Sequence, residues 1–563
     1  MSTVANLMRP PETVMKLDRL GAFHQTRLSF VRSLMRKVMS EQWQITRSRW
    51  DLDEAGFGTA IYRVVATAGE VYSVVFFANY IPDDKRTDRV IAEMWDVAFV
   101  LCAGDVTDAQ IDELRLNVPK QEVGRYLPYV LVLSRANKST RNFSHVVDCL
   151  SRGVQPDPMV LSKVGYLYRT TAVYGNGKFG IADFDRLRQT QAFDVTFRAQ
   201  MFAVWMMRHF SVEQAHHLAR IQGGERAIDL HSEIQRYLGV GNATGLGMAP
   251  FLVTHPILLN QWIETREQAI ALVTEQGTVD DVIWQRFLQL MRRAHQHVSE
   301  IETIHPLQQQ RNATMLVELD AFLATPQRLI RPADWKRLLI SFSDWSAEAQ
   351  EVVHSILLEL YPELVNPLAE QLNIDAEMHL DPTMRLDALC QLIETNYTWA
   401  VSLDFEQREN LERFWYSSAD KEEPRFGNRF EEAGAEKERP LTMGRDVNQL
   451  KQLIGVCLAD DPNATVIDLL FAHPDQRGIV RRVQSLAERP YAEIHDNLLG
   501  SDCLPIHMLR CKLSFFGASK FDPRSNLWVR VTLFQGAPLL HEIGQPFTDD
   551  WFWPIVPTQL GRL

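Results

Sequence analysis

The first of two glycine-rich segments combines backbone freedom with a positive charge. It reads Gly175-Asn176-Gly177-Lys178-Phe179-Gly180, a match to the pattern G-x-G-x-x-G, and it follows the β-prone run 166–174. Glycines allow close approach of backbone N–H groups to phosphate or carboxylate, and Lys178 would neutralise the bound charge. The second strand of a dinucleotide-binding unit is missing from the pattern. The sequence therefore predicts an anion-binding loop or an ordinary glycine turn, and it identifies no cofactor.

The second segment, residues 239–247 (GVGNATGLG), has four glycines among nine residues and is predicted as a turn after a helix. It lacks the Gly-Lys-Ser/Thr ending of a P-loop. The side chains of Asn242 and Thr244 and the backbone at Gly245 and Gly247 could still bind an oxyanion. The alternative is that these glycines let two elements pass closely.

Three further side chains are candidates for catalysis beside Lys178. His255 and His507 would move protons, and Cys503 lies four positions before His507, the spacing of a nucleophile and its base on a helix. Cys503, His507 and Cys511 could instead bind zinc, although Pro505 interrupts the helix they need. Buried structural cysteines are the remaining interpretation.

The strongly charged segment 417–440 contains Arg425 and Arg429, which could bind a carboxylate or phosphate from a lid over the substrate. The neighbouring glutamates could equally balance these arginines on a solvated surface.

Glu-x-x-His occurs three times, at Glu213/His216, Glu302/His305 and Glu351/His354. This spacing places two metal-binding side chains on one helix face, as in carboxylate-bridged di-iron proteins. The additional glutamates that such a centre requires are not evident. No metal ligand is therefore assigned, and solvated helix faces explain the pairs.

Composition limits the class of protein. With 59 Lys+Arg against 71 Asp+Glu, the chain has a net charge of −12, which disfavours nucleic acid as a partner. Six cysteines are few for this length, and neither a secretory signal nor a membrane-spanning segment is evident. We therefore expect a soluble, cytoplasmic protein that does not bind membranes.

The elements that would position these residues indicate an α+β fold that is predominantly helical. Short strands are predicted within about 58–135, where the runs 58–67 and 70–78 form a hairpin, and within about 527–535, where polar and apolar residues alternate. Helical periodicity dominates from about 158 to 400. We predict an α+β domain over 1–155, a helical domain over 156–416 with both glycine-rich turns, a loop or linker over 417–440 and an α+β region over 441–563.

Three functional hypotheses follow. The first is an enzyme acting on a small anionic ligand that bears phosphate or carboxylate, with the reaction unresolved. The second is a metal-dependent enzyme using Glu and His ligands. The third is a non-catalytic binding or assembly protein in which Trp551-Phe552-Trp553 forms an interface. Homo-oligomer formation stays open under all three.

Overall fold

A computed structural model of the 563-residue chain shows which of these elements form. It describes residues 8–82, 95–117, 127–170, 181–195, 197–245, 255–326, 331–370, 372, 378–407, 410, 443–486, 488–495, 507–525 and 528–558.

The strands of the described residues belong to one sheet. Their bounds are β1 Gln44–Leu52, β2 Gly58–Val65, β3 Val71–Ala78, β4 Val97–Ala103, β5 Val130–Lys138, β6 Tyr166–Thr170, β7 Ile181–Ala182, β8 Gly239–Gly245, β9 Ala518–Pro523 and β10 Trp528–Leu533.

The sheet is mixed, with the order β1-β2-β3-β4-β5-β6-β8-β10-β9, and β7 pairs with β5. Neighbours are antiparallel except β6 and β8, which run parallel. Strands from both ends of the chain therefore share one sheet, joined through β6 and β8. The α+β class and the predicted hairpin of β2 and β3 are confirmed, while the domain boundaries stay predictions.

Residues 239–245 form strand β8, so the prediction of a turn there is wrong. β8 lies between β6 and β10, and its glycines fit that position because the neighbours approach closely. A Cβ on Gly241 would lie 2.4 Å from the Tyr166 ring, and one on Gly239 would lie 2.1 Å from the Leu533 carbonyl oxygen. Sheet pairing here outweighs the low strand propensity of glycine.

Helices make up most of the remaining described structure. Their bounds are α1 Pro11–Val14, α2 Leu17–Leu20, α3 Phe30–Ser40, α4 Asp108–Asn117, α5 Phe143–Ser151, α6 Pro158–Ser162, α7 Phe184–Leu187, α8 Arg198–Gly223, α9 Ser232–Tyr237, α10 Pro256–Thr274, α11 Asp281–Ser299, α12 Pro306–Ala324, α13 Trp335–Ser341, α14 Ala347–Leu360, α15 Pro362–Ala369, α16 Leu386–Asn396, α17 Thr398–Val401, α18 Met443–Asp460, α19 Val466–Ala472, α20 Arg477–Leu486 and α21 Met508–Phe516.

Three large apolar clusters organise these elements. The first packs α3, α8 and α21 against the sheet, with α8 buried along most of its length. The second joins α10–α15 and includes Trp553, and the third joins α16 and α18–α20. Within the described residues, no helix is long and apolar enough to cross a membrane.

Candidate functional site

A buried polar cavity of about 30 Å³ lies where the N-terminal segment meets α11, α12, α21 and β9. That volume is about twice the ~10–15 Å³ that one water molecule requires. Polar and charged side chains supply much of the cavity wall. They are His24, Gln25, His297, Gln308, Asn312, Arg510, Ser514 and Ser519.

Gln25 is the feature that makes this cavity a candidate binding site. Its side chain is 3% exposed, yet neither its Oε1 nor its Nε2 has a hydrogen-bond partner within the described part of the chain. Leaving a buried amide unsatisfied costs about 1–3 kcal/mol. A ligand or ordered water inside the cavity would remove that cost.

Arg510 supplies the positive charge at the cavity wall. Its Nη1 donates to Glu348 Oε1 at 3.1 Å and its Nε donates to the Phe23 carbonyl at 3.0 Å. Nη2 lies 3.0 Å from His24 Nε2, so this ring nitrogen is the acceptor and His24 is neutral. Burial lowers the pKa of His24 well below its usual value, and Arg510 adds to the effect.

His297 forms the opposite part of the wall and is also neutral near pH 7. Its Nδ1 donates to the Pro554 carbonyl at 2.8 Å. Burial lowers the pKa of His297 to about 4. The Trp553 ring meets the His24 ring edge to face, with centroids 6.1 Å apart, so the C-terminal segment supports both histidines.

His507 reaches the cavity through a hydrogen-bonded neighbour. It is fully buried, and its Nε2 lies 3.2 Å from Gln308 Oε1, so Nε2 is the donor. Gln308 in turn donates from its Nε2 to Asn312 Oδ1 at 2.9 Å. The predicted proton-moving histidine therefore lies behind the cavity wall, on the side formed by α12.

A network of ion pairs lies close enough to the cavity for its members Arg266 and Glu351 to act electrostatically on His24. Arg9 bonds Glu267 and Glu351 at 2.7 Å each, Arg266 contacts the same two carboxylates, and Arg19 lies 3.3 Å from Glu351. Arg510 and Glu348 form a second buried ion pair, at 3.1 Å. Arg311 also approaches Glu348, at 3.5 Å.

The arginines near the cavity set the protonation of the buried groups beside them. Burial acts to raise the pKa of Glu351, but Arg9 and Arg266 outweigh it and hold the pKa well below its usual value, so the carboxylate stays ionised. Burial and then Arg9 lower the pKa of His354 well below its usual value. With Arg311 counted, these contacts join five guanidinium groups to three carboxylates. A small anion would balance part of that excess.

Other candidates from the sequence lie apart from the cavity lining. His255 is half-buried and immediately precedes α10. Asn242 is 1% exposed and donates from Nδ2 to the Thr170 carbonyl at 2.7 Å, a bond that ties β8 to β6. Thr244 and Gly245 pair with Val529 and Trp528 of β10. The backbone from Asn242 to Gly245 is thus part of the sheet.

The remaining predicted site residues lie outside the described residues, and their roles stay predictions. They are Gly175, Asn176, Gly177, Lys178, Gly180, Gly247, Arg425, Arg429 and Cys503.

The Glu/His pairs have other contacts. Glu213 accepts from Tyr62 at 2.8 Å and from Arg47 at 3.0 Å, whereas His216 accepts from the Leu230 amide at 2.9 Å. Glu351 belongs to the arginine network. In the portion of the chain that the structure covers, no three His, Cys, Asp or Glu side chains group as a metal site.

The aromatic triplet at the C-terminus does not form a surface patch, contrary to the interface hypothesis. Trp551, Phe552 and Trp553 are 4%, 1% and 1% exposed. Their rings extend the first and second apolar clusters. An aromatic-rich stretch has the same composition in a core as at an interface, which is why the sequence misled here.

Sequence reasoning did not single out His24, Gln25, His297 or Arg510. These residues come from segments up to 486 positions apart, so no local spacing connects them. Among the predicted residues, His507 is hydrogen-bonded to another residue of the cavity wall, Gln308.

The comparisons with known proteins add no assignment. The chain matches no protein-family model, no curated protein and no solved structure.

Proposed function

We propose that this protein binds a small anion in the cavity formed by His24, Gln25, His297 and Arg510. The observation that carries the proposal is the buried Gln25 amide, which has no partner among the described residues and lies in the same cavity wall as the Arg510 guanidinium. The amide N–H group and the Arg510 guanidinium would donate to the anion. This role develops the sequence-based hypothesis of a small anionic ligand at a different place in the chain.

The size of the cavity restricts the ligand. A volume of about 30 Å³ provides room for about two water molecules, so we propose a halide or a one-carbon carboxylate such as formate as the ligand rather than a phosphate ester. A reaction on formate or a similar ligand is compatible with this arrangement, and the proposal itself requires binding alone.

Thermal unfolding in the presence of different anions tests the proposal. Protein dialysed into a gluconate buffer is titrated at constant ionic strength with bromide, formate or phosphate. We expect saturable stabilisation by bromide or formate, because a ligand at 100 times its Kd adds about 2.7 kcal/mol, and no saturable effect of phosphate.

Gln25→Leu and Gln200→Leu form a matched pair for this titration. Gln200 lies on α8, is also 3% exposed, and its Oε1 also has no partner among the residues described. Gln25→Leu is expected to abolish anion stabilisation, whereas Gln200→Leu keeps it. A flat titration of the wild type, or an unchanged response in Gln25→Leu, would show that the cavity is an ordinary hydrated void.

A further inference from the structure

Strand β1 forms one edge of the sheet. Among the strands described, it pairs only with β2. The edge spans nine residues without proline, and most of its side chains are exposed or half-buried. The unpaired backbone groups of such an edge can hydrogen-bond another strand, and natural proteins usually block or occupy them.

The other edge of the sheet is approached by a neighbouring segment. Thr303 donates from its hydroxyl to the Pro523 carbonyl of β9 at 3.1 Å. Pro523 also lacks an N–H group of its own. The two edges thus differ, and β1 is the one suited to strand addition.

The charges along β1 are arranged symmetrically about one residue. Residues 47–53 read Arg-Ser-Arg-Trp-Asp-Leu-Asp, with Trp50 at the centre. When two copies of this strand pair antiparallel about Trp50, Arg49 of each copy lies opposite Asp51 of the other. Opposite charges at directly facing positions stabilise a strand pair, whereas like charges destabilise it.

Both side chains are partly exposed, and Nη1 of Arg49 also bonds Asp108 Oδ1 at 2.7 Å. Arg49 and Asp51 share a face of the sheet, where Nε of Arg49 bonds Asp51 Oδ2 at 2.5 Å, and their side chains are 37% and 61% exposed. The β-bulge falls between Arg47 and Arg49. The stretch from Arg49 onward is therefore regular, and the pairing depends on Arg49, Trp50 and Asp51.

We propose that β1 is a self-association edge, on which a second copy of this chain adds its own β1 antiparallel about Trp50. The resulting dimer has a twofold axis and one continuous sheet across both copies. The same residues of β1 in the two copies face each other, as a twofold interface requires. The proposal is independent of the anion cavity.

Charge reversal tests this arrangement directly. Sedimentation velocity of the full chain from about 1 to 100 μM is expected to show a dimer. Arg49→Asp places Asp opposite Asp, and Asp51→Arg places Arg opposite Arg, twice in each dimer. Either variant alone should raise the dimer dissociation constant at least about tenfold.

Two restorations distinguish charge pairing from general damage. The double variant R49D/D51R is again self-complementary and should recover the dimer. An equimolar mixture of R49D and D51R should form the mixed dimer, although neither forms its own. Arg63 lies on the adjacent strand β2 and forms an exposed ion pair with Asp105. Arg63→Asp removes that pair, serves as the control and should leave dimerisation unchanged.

A monomeric wild type at 100 μM would overturn the proposal. So would single variants that dimerise as well as the wild type, or a double variant and a mixture that both stay monomeric while their circular dichroism is native.

Discussion

Lys512 on α21 is a buried amine inside the first apolar cluster. It is 2% exposed, and its Nζ lies 5.3 Å from the centre of the Phe516 ring. Burial lowers the pKa of Lys512 to about 7. Near neutral pH the folded protein therefore holds this group close to the midpoint of its titration.

The sign of the resulting pH dependence is fixed by the unfolded chain. There the amine titrates near pH 10.4, so between about pH 7 and 10 the unfolded chain binds a proton that the folded protein does not. The free energy of unfolding therefore rises with pH through this window.

Lys512→Met removes this dependence. We expect the variant to exceed the wild type in free energy of unfolding by about 2 kcal/mol or more at pH 7, and the excess to decrease by up to about 1.4 kcal/mol per pH unit toward pH 10. Urea denaturation at pH 7, 8 and 9 measures it. Lys336→Met, at a half-exposed lysine paired with Glu275, is the control and should show no pH-dependent difference. If the difference in free energy of unfolding between Lys512→Met and the wild type stayed constant with pH, Lys512 would not have the lowered pKa.

At the scale of elements, β8 shows what local sequence could and could not reveal. β2 and β3 were predictable because they are rich in β-branched and aromatic residues. β8 has the composition of a turn, and only β6 and β10 on its two sides make it a strand. In the sequence, β6 lies more than 65 positions before β8, and β10 lies more than 280 positions after it. The cavity was hidden for the same reason, since Gln25 and Arg510 meet only after the chain has folded.

Gly241→Ala tests whether the glycines of β8 serve packing. The added Cβ would meet the Tyr166 ring at 2.4 Å, and overpacking of this kind costs about 1–3 kcal/mol. Chemical denaturation should show that loss. Gly455→Ala on α18, where a Cβ meets nothing within 4 Å, should instead stabilise by up to about 1 kcal/mol because alanine favours helix. If Gly241→Ala were as stable as the wild type, packing would not explain the glycines of β8, and β8 would again be a candidate for ligand binding.

At the scale of the whole molecule, the separate apolar clusters predict separate units of unfolding. The third cluster, on α16 and α18–α20, has its own buried residues, and it meets the remainder through a small apolar cluster of Ile257, Leu486 and Ala492 and through polar contacts. Among these, Tyr397 donates to Glu493 Oε1 at 3.0 Å, and Arg482 bonds Glu493 at 2.6 Å. The amide of His495, next to this pair, donates to the Met15 carbonyl at 2.7 Å. Loss of the sheet therefore need not expose these helices.

Val531→Asp should separate the two units. Val531 is fully buried in β10 between β8 and β9, and an unpaired carboxylate there would cost several kcal/mol. Hydrogen exchange followed by mass spectrometry should then show accelerated exchange in β8–β10 and α21, with native protection in α16 and α18–α20. Val531→Ala removes apolar packing without adding a charge and so destabilises less. It should accelerate exchange in the same elements, by a smaller factor. If exchange accelerated equally in α16–α20, the chain would unfold as one cooperative unit, and the third cluster would depend on the sheet despite its own core.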